Sequence, residues 1–192
     1  MEKKVPVGIT ARHVRLSQDH IDFLFGEDYE LTDSKELSQP GTFSCEETVD
    51  IENENGEVIK NVRVVGPAKP QTIVIISNSD AIKYGFTAPV RDLDNLEGSG
   101  ECYINGPMGR IHIACGVIVQ QRHIHFSPSE AKDFGVVDGE TVMAKVTGDK
   151  GGIMDNVKCW VKDNAELDFH IDVDDADAFM LKDGDLVEII KK

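Results

Sequence analysis

The chain has 192 residues, of which 40% are hydrophobic and 29% are charged, and this is enough to bury one core or two small ones. Its 35 acidic and 20 basic residues give a formal net charge of -15, which argues against nucleic acid or an anionic membrane as the main partner. No signal peptide and no apolar run of membrane-spanning length are visible, so we expect a cytoplasmic protein. The four cysteines lack a C-x-x-C pair, and we expect reduced thiols without a catalytic role.

The first predicted elements are a strand, a short helix and a loop. Residues 5–9 are strand-like, and Ser17 is placed to cap a helix over residues 18–25. The stretch 31–43 contains Ser38-Gln39-Pro40-Gly41, a run of turn-forming residues, and is predicted to be a loop.

The most informative motif is a His-x-His pair in the second half of the chain. His123 and His125 lie in the run 121–127, and in a strand the residues i and i+2 point to the same face. Both imidazoles can therefore bind one metal ion. A third histidine, His170, lies in the alternating apolar run 167–171. Three histidines with one open position form the donor set of many catalytic zinc sites.

Helix and turn signals in the second half indicate small β-barrels. Ser127 as N-cap, Pro128 at the first helical position and Glu130 three residues on form a capping-box pattern for a helix over residues 128–134. Residues 135–146 and 181–190 each combine an Asp-Gly turn with an alternating strand. This recurrence of a tight turn beside a short alternating strand is typical of small closed barrels.

The two halves of the chain share a repeated pattern. Residues 11–17 match residues 121–127 in Arg, His and Ser at an offset of 110 residues. Further along the offset is 95, as in Asp80-Ala81 and Asp175-Ala176, so the predicted loop in the first half holds the extra residues. We therefore predict a mainly β fold with short helices, in which an internal duplication forms two similar small β-barrel lobes.

The duplication also relates the two candidate half-sites. We place the lobes at residues 1–92 and 93–192. At the second offset Ile75 falls opposite His170. The first half thus presents His13, Arg15 and Ile75 where the second presents three histidines, so only the second lobe carries a full ligand set.

Seven motifs, in order and across nearly the whole chain, resemble the PduL-type phosphate acyltransferases, also known as the phosphate propanoyltransferase or phosphotransacylase family. They are Val7-Gly8-Ile9-Thr10-Ala11-Arg12-His13, Leu37-Ser38-Gln39-Pro40-Gly41, Glu46-Glu47-Thr48-Val49, Asn61-Val62-Arg63-Val64-Val65-Gly66-Pro67, Pro89-Val90-Arg91-Asp92, Arg122-His123-Ile124-His125 and His170-Ile171-Asp172. The resemblance implies a transferase that exchanges coenzyme A and phosphate on a short acyl group such as propionyl or acetyl.

The same resemblance implies an architecture and an assembly. Members of the family have two β-barrel lobes with short helices, two neighbouring metal sites that normally hold zinc, and a dimeric or larger oligomeric state. Members that serve bacterial microcompartments often carry an N-terminal targeting extension, and none is visible in this sequence. Short-chain acyl-coenzyme A and phosphate are the implied partners.

Carried over to this chain, the resemblance implies one intact metal site, at His123, His125 and His170. The other half-site departs from the family pattern at four places, where the family has a second His-x-His, a glutamate, a phosphate-holding arginine and a Ser-Gly-Asp-Leu run. This chain has His13-Val14-Arg15, Ile75, Lys69 and Leu93-Asp94-Asn95-Leu96 at those places. We therefore expect one Zn²⁺ per chain and no ordinary second site.

Two interpretations of these departures stay open. In the first the enzyme is active with one metal: zinc polarises the thioester carbonyl, while Arg15 and Lys69, together with Arg12, position phosphate. Arg15, Lys69 and His13 are then the candidate catalytic residues of the first half-site. Arg91 and Arg12 are then candidates for cofactor and substrate binding. In the second, the half-site has decayed and the protein binds a coenzyme A ester or another phosphorylated ligand without turnover.

Individual cations also have structural alternatives. Arg15 could form an ion pair with one of the many carboxylates. Arg12 and Arg122 occupy equivalent places before the histidines, so a shared structural role is an alternative to ligand contact.

Overall fold

The computed structural model describes residues 3–191. Over these residues the chain forms fourteen strands and four short helices, and the predicted mainly β fold with short helices is confirmed. The strands are β1 (Lys4–Thr10), β2 (His13–Arg15), β3 (Asp33–Glu36), β4 (Phe43–Glu52), β5 (Val58–Gly66), β6 (Ile73–Ile75), β7 (Val90–Arg91), β8 (Gly100–Asn105), β9 (Arg110–Gln120), β10 (His123–Phe126), β11 (Thr141–Val146), β12 (Gly152–Val161), β13 (Asp168–Asp172) and β14 (Leu186–Lys191).

The helices each span about two turns. They are α1 (Gln18–Phe25), α2 (Asn78–Tyr84), α3 (Pro128–Phe134) and α4 (Val173–Phe179). Ser127 and Glu130 form the predicted capping box at α3. Ser17 occupies the N-cap position of α1, but its side chain makes no capping hydrogen bond. Instead its backbone N–H donates to the Thr72 hydroxyl, and its own hydroxyl accepts from Thr72. From residue 3 to residue 191, no helix has the length and apolar character needed to cross a membrane.

One compact unit, the C-terminal barrel, consists of residues 3–11, 38–40 and 121–191. Its six strands close in the order β1, β13, β10, β12, β11 and β14. The pairs β1 with β13 and β10 with β12 are parallel, and the other pairs are antiparallel. The interior is filled by alternate strand residues such as Val7, Ile124, Phe126, Met154, Phe169 and Ile171.

The other unit, the N-terminal barrel, consists of residues 12–37 and 41–120. The strands β4, β5, β2, β6, β9 and β8 pair in turn, and β8 pairs back with β4 to close the ring. Strands β3 and β7 add to β4 and β9 outside this ring. Its core contains Val14, Leu16, Leu24, Ile51, Val64, Val74 and Ile104. The predicted loop 31–43 thus contains a strand, since the wholly exposed β3 pairs along the edge of β4.

Both barrels have the same strand pattern, and the registers agree with the repeat read from the sequence. His13 lies opposite Ile75 in an antiparallel pair, as His123 lies opposite His170. Two similar small barrels from a duplication are therefore confirmed.

The units differ from the predicted boundaries 1–92 and 93–192. The C-terminal barrel includes β1, because this strand pairs with β13 and β14. Its counterpart β9 lies 110 residues further on and pairs with β6 and β8 in the N-terminal barrel. Each barrel therefore takes one strand from the other repeat.

The cysteines form no disulfide within residues 3–191. Cys45, Cys102 and Cys159 are buried and Cys115 is exposed. Burial raises the pKa of Cys45 to about 11 and the pKa of both Cys102 and Cys159 to about 12. These three thiols are therefore protonated at neutral pH and are poor nucleophiles.

Candidate metal centre

Three histidines, the histidine triad, converge on the outer face of the C-terminal barrel. His123 on β10 lies directly opposite His170 on β13, and His125 follows on the same face of β10. The ring centroids are 4.8 to 5.0 Å apart. One ligand nitrogen from each ring lies within 4.8 Å of the other two. The structure thus brings together the residues that the strand period selected, and their chemistry and spacing fit a three-histidine metal site.

The backbone and a tryptophan orient the His123 ring. Its Nδ1 donates to the carbonyl oxygen of Gln121 at 2.9 Å, so in the neutral ring Nε2 carries the lone pair. The ring stacks on Trp160, with centroids 3.9 Å apart and planes 29° apart. Trp160 lies opposite His125 in the parallel pair of β10 and β12. Its buried Nε1 has no hydrogen-bond partner among the described residues.

A carboxylate faces the third histidine. Asp168 Oδ2 lies 2.8 Å from His170 Nε2, and the Ser38 hydroxyl lies 3.2 Å from the same nitrogen. Asp168 is buried, and burial tends to raise its carboxyl pKa. The hydrogen bonds from His170 and Ser38, with the nearby charges of His170 and His125, outweigh burial and lower the pKa of Asp168. The carboxylate is therefore ionised at neutral pH.

In the N-terminal barrel the equivalent strand presents His13 and Arg15. Arg15 Nε donates to His13 Nε2 at 3.4 Å. Burial lowers the pKa of the Arg15 guanidinium, which nevertheless stays charged at neutral pH. Of the described carboxylates, none forms an ion pair with Arg15. Over residues 3–191 the structure therefore does not show the alternative in which Arg15 forms an ion pair with a carboxylate.

An isoleucine cluster occupies the rest of this half-site. Ile73, Ile75 and Ile118 are buried together, and Leu93 and Leu96 pack against them. The repeat and the strand registers place Ile73, Ile75 and Ile118 where the C-terminal barrel has Asp168, His170 and Gly8. Aliphatic side chains offer no metal ligand. Over residues 3–191 the histidine triad is the one group of three or more donors close enough to hold an ion.

The other predicted cations have separate surroundings. Lys69 is half-buried, and its backbone N–H donates to the carbonyl of Leu16, next to Arg15 in sequence. Arg91 donates to the backbone carbonyls of Val90 and Glu97 at 2.8 and 2.7 Å. Arg91 therefore holds the loop that contains Leu93 and Leu96.

The two arginines that precede the histidines form equivalent ion pairs. Arg12 Nε lies 3.1 Å from Asp80 Oδ2. Arg122 donates two hydrogen bonds to the Asp175 carboxylate, of 2.7 and 2.6 Å. This bidentate pair raises the pKa of Arg122. Both partners follow the 95-residue offset. These equivalent contacts support the shared structural role as one of the two interpretations of Arg12.

Sequence reasoning did not select Asp168, Trp160, Ser38 and Gly8 as site residues. The strand period could have indicated Asp168, because it stands two residues before His170 on the same face. Trp160 and Gly8 enter only through the pairing of β12 with β10 and of β1 with β13.

Comparisons with known proteins give a consistent result. The model of the phosphate propanoyltransferase family matches residues 6–182. A relative named phosphate propanoyltransferase from Thermotoga maritima is 45% identical over 191 residues, covering 99% of this chain and 90% of the relative. Relatives with the same name from Lachnoclostridium phytofermentans and Clostridioides difficile are each 41% identical, covering 97% and 100% of this chain and 87% and 91% of the relatives.

Proposed function

Because the chain belongs to the phosphate propanoyltransferase family, a family of acyltransferase enzymes, we propose that it exchanges coenzyme A and phosphate on a short acyl group. In this reaction a phosphate oxygen bonds to the thioester carbonyl carbon, the carbon–sulfur bond breaks, and coenzyme A leaves as a thiolate. The products are an acyl phosphate and coenzyme A. The observation that carries the proposal is the histidine triad, since this family match coincides with a donor set suited to carbonyl chemistry.

We further propose that His123, His125 and His170 hold one Zn²⁺ ion. Neutral imidazoles suit zinc, and three protein ligands leave one position open. The His123 contact with Gln121 supports this assignment, because it leaves Nε2 as the coordinating atom. When bound, zinc would supply a Lewis acid for the thioester carbonyl.

Arg15 and Lys69 are the residues proposed to hold phosphate in the N-terminal barrel. A guanidinium presents a planar fork that binds phosphate oxygens bidentately. The support is that Arg15 is largely desolvated and that, within residues 3–191, its one side-chain hydrogen bond runs from Nε to His13, which leaves both terminal nitrogens for an anion. His13 would then orient the Arg15 guanidinium.

Arg12 and Arg91 stay candidates for binding coenzyme A. The Arg12 side chain is 43% exposed despite its contact with Asp80, so it can donate to a second anion.

The predicted homodimer or larger oligomer also stays a prediction, and light scattering of the purified protein tests it.

Phosphate-dependent thiol release is the first test of the proposed function. Zinc-loaded protein is mixed with acetyl- or propionyl-coenzyme A, and free thiol is followed with and without phosphate. We expect release only when phosphate is present. If folded protein with bound zinc releases no thiol, the result would contradict the proposed acyl transfer. It would favour a protein that binds its ligand without turnover.

The isoleucine cluster favours one alternative, a paralogue that binds zinc and a coenzyme A ester or phosphorylated ligand without turnover. Ile73 and Ile75 stand where the other barrel has the polar residues Asp168 and His170, and Ile118 stands where it has Gly8. This alternative predicts binding of acetyl-coenzyme A in a calorimeter without thiol release.

Changing Arg15 to alanine is expected to raise the phosphate requirement. The loss of a charged hydrogen-bonding pair costs about 1.5 to 3 kcal/mol, so the KM for phosphate should rise roughly 10- to 100-fold. The zinc content and the KM for the acyl-coenzyme A should not change. Initial rates measure the two KM values, and metal analysis measures the zinc content.

Arg110→Ala is the matched control for this prediction. Arg110 lies in the same barrel but pairs with Glu52 and stacks on Tyr103, 3.9 Å from the ring centroid. It should leave phosphate dependence unchanged. An unaltered phosphate KM in Arg15→Ala would refute the phosphate role of Arg15.

A further inference from the structure

The Asp168 carboxylate contacts two side chains, those of His170 and Ser38. It accepts from His170 Nε2 at 2.8 Å and lies near the Ser38 hydroxyl. The carboxylate is buried, with 8% of the side chain exposed, yet no backbone N–H of the described residues donates to it. A buried carboxylate of this kind is costly unless it has a dedicated partner. Here that partner is a member of the histidine triad.

Gly8 provides the space that this carboxylate needs. Gly8 on β1 is the register partner of His170 on β13. A Cβ at Gly8 would lie 2.7 Å from each carboxylate oxygen of Asp168, closer than side chains tolerate. Its backbone is in an ordinary extended strand conformation, so no turn requires the glycine. The absence of a side chain at Gly8 is therefore explained by Asp168.

The N-terminal barrel is an internal control for this arrangement. It has the same strand pattern, but Ile75 stands at the place of His170. Where that histidine is missing, the carboxylate and the glycine are missing too, since Ile73 and Ile118 stand at their places. This barrel closes without them. The barrel fold thus needs neither a carboxylate nor a glycine at these positions, and both occur together with the histidine.

We propose that Asp168 is a positioning residue that orients His170 for metal binding, and that Gly8 is small in order to admit the Asp168 carboxylate. An acceptor on Nε2 keeps the hydrogen on that nitrogen, fixes the ring rotation and leaves the Nδ1 lone pair for the ion. The proposal rests on the proposed metal site. It adds two residues on which the affinity of that site depends.

Cobalt titration of the full-length, metal-stripped protein tests the proposal. Co²⁺ binding is followed by its visible absorption and by the fluorescence of Trp160, the single tryptophan, which stacks on His123. Asp168→Ala should weaken Co²⁺ binding about 10- to 100-fold, the usual range for the loss of a residue that supports a metal ligand. Asp168→Asn retains an acceptor oxygen and should fall between the wild type and Asp168→Ala.

The outcomes separate this role from two others. A purely structural role would lower the thermal stability of the metal-free protein and leave Co²⁺ affinity unchanged, and that result would overturn the proposal. A direct ligand would make Asp168→Ala as deficient as His170→Ala, and this too would overturn it. If wild-type protein does not bind Co²⁺, the proposed metal site fails and the inference fails with it.

A double-mutant cycle gives an independent check. Gly8→Ala alone should weaken Co²⁺ binding, because its Cβ displaces the Asp168 carboxylate. In the Asp168→Ala background the same change should have little further effect, since the clash is gone. Additive losses would show that Gly8 acts without Asp168, and would overturn that part of the proposal.

Discussion

Replacing His125 by alanine is expected to remove the bound metal and nearly all of the transferase activity. The triad would be left with two imidazoles, His123 and His170, which is fewer than the three protein ligands of a catalytic zinc site. Loss of a Lewis acid and its charge stabilisation costs several kcal/mol, so the rate of thiol release should fall on the order of 10²-fold or more. Metal per chain, measured after dialysis, should fall from about one to near zero.

His112→Ala is the matched control for this change. His112 lies on β9, with Nε2 2.9 Å from the Glu101 carboxylate, and belongs to the N-terminal barrel, whereas the triad belongs to the C-terminal barrel. Its loss should leave both metal content and rate as in the wild type. Retention of a full equivalent of metal by His125→Ala would show that His125 is not a ligand. Full activity without metal would refute the catalytic role of the triad.

Replacing Ile75 by glutamate is expected to destabilise the protein without creating a second metal site. Ile75 is 3% exposed and packs against Ile73, Ile118, Leu93 and Leu96. Placing a carboxyl group among aliphatic side chains should lower the free energy of unfolding by roughly 3 kcal/mol. Denaturant unfolding measures this loss. Ile75→Leu, which conserves volume, should lose less than about 1.5 kcal/mol.

The double variant Arg15→His with Ile75→Glu extends the test to metal content. It restores ligands at two positions, but Ile73 and Ile118 still stand where the C-terminal barrel has Asp168 and Gly8. We therefore expect metal per chain to stay near one. A second equivalent of zinc, with increased activity, would show that the half-site is a decayed one that two substitutions repair.

The histidine triad could be predicted because two simple rules locate it. The alternation of strand side chains selects His123 and His125 as a pair. His170 lies in a second alternating run, and the repeat matches it with Ile75 as the third position of each half-site. The structure shows the same opposed register in both barrels. Both rules use spacing along one strand or one offset, which a single sequence displays directly.

The surroundings of the triad could not be predicted in the same way. Trp160 and Gly8 lie beside the histidines because β12 and β1 pair in parallel with β10 and β13, and parallel partners are not adjacent in sequence. The same limit applies to Ile118, which joins Ile75 only through the pairing of β6 with β9. The exchange of β1 and β9 between the repeats also explains why boundaries at residue 92 do not describe the compact units.

The exchanged strand has a consequence for the order of folding during synthesis. Within the described chain β1 is the first strand to be made, and its partners β13 and β14 are the last. All strands of the N-terminal barrel lie between residues 13 and 120, so that barrel can close while synthesis continues. The C-terminal barrel must wait for residues 186–191 and must close a much longer loop. The face that carries the histidine triad is therefore completed only after all strands of the N-terminal barrel have been made.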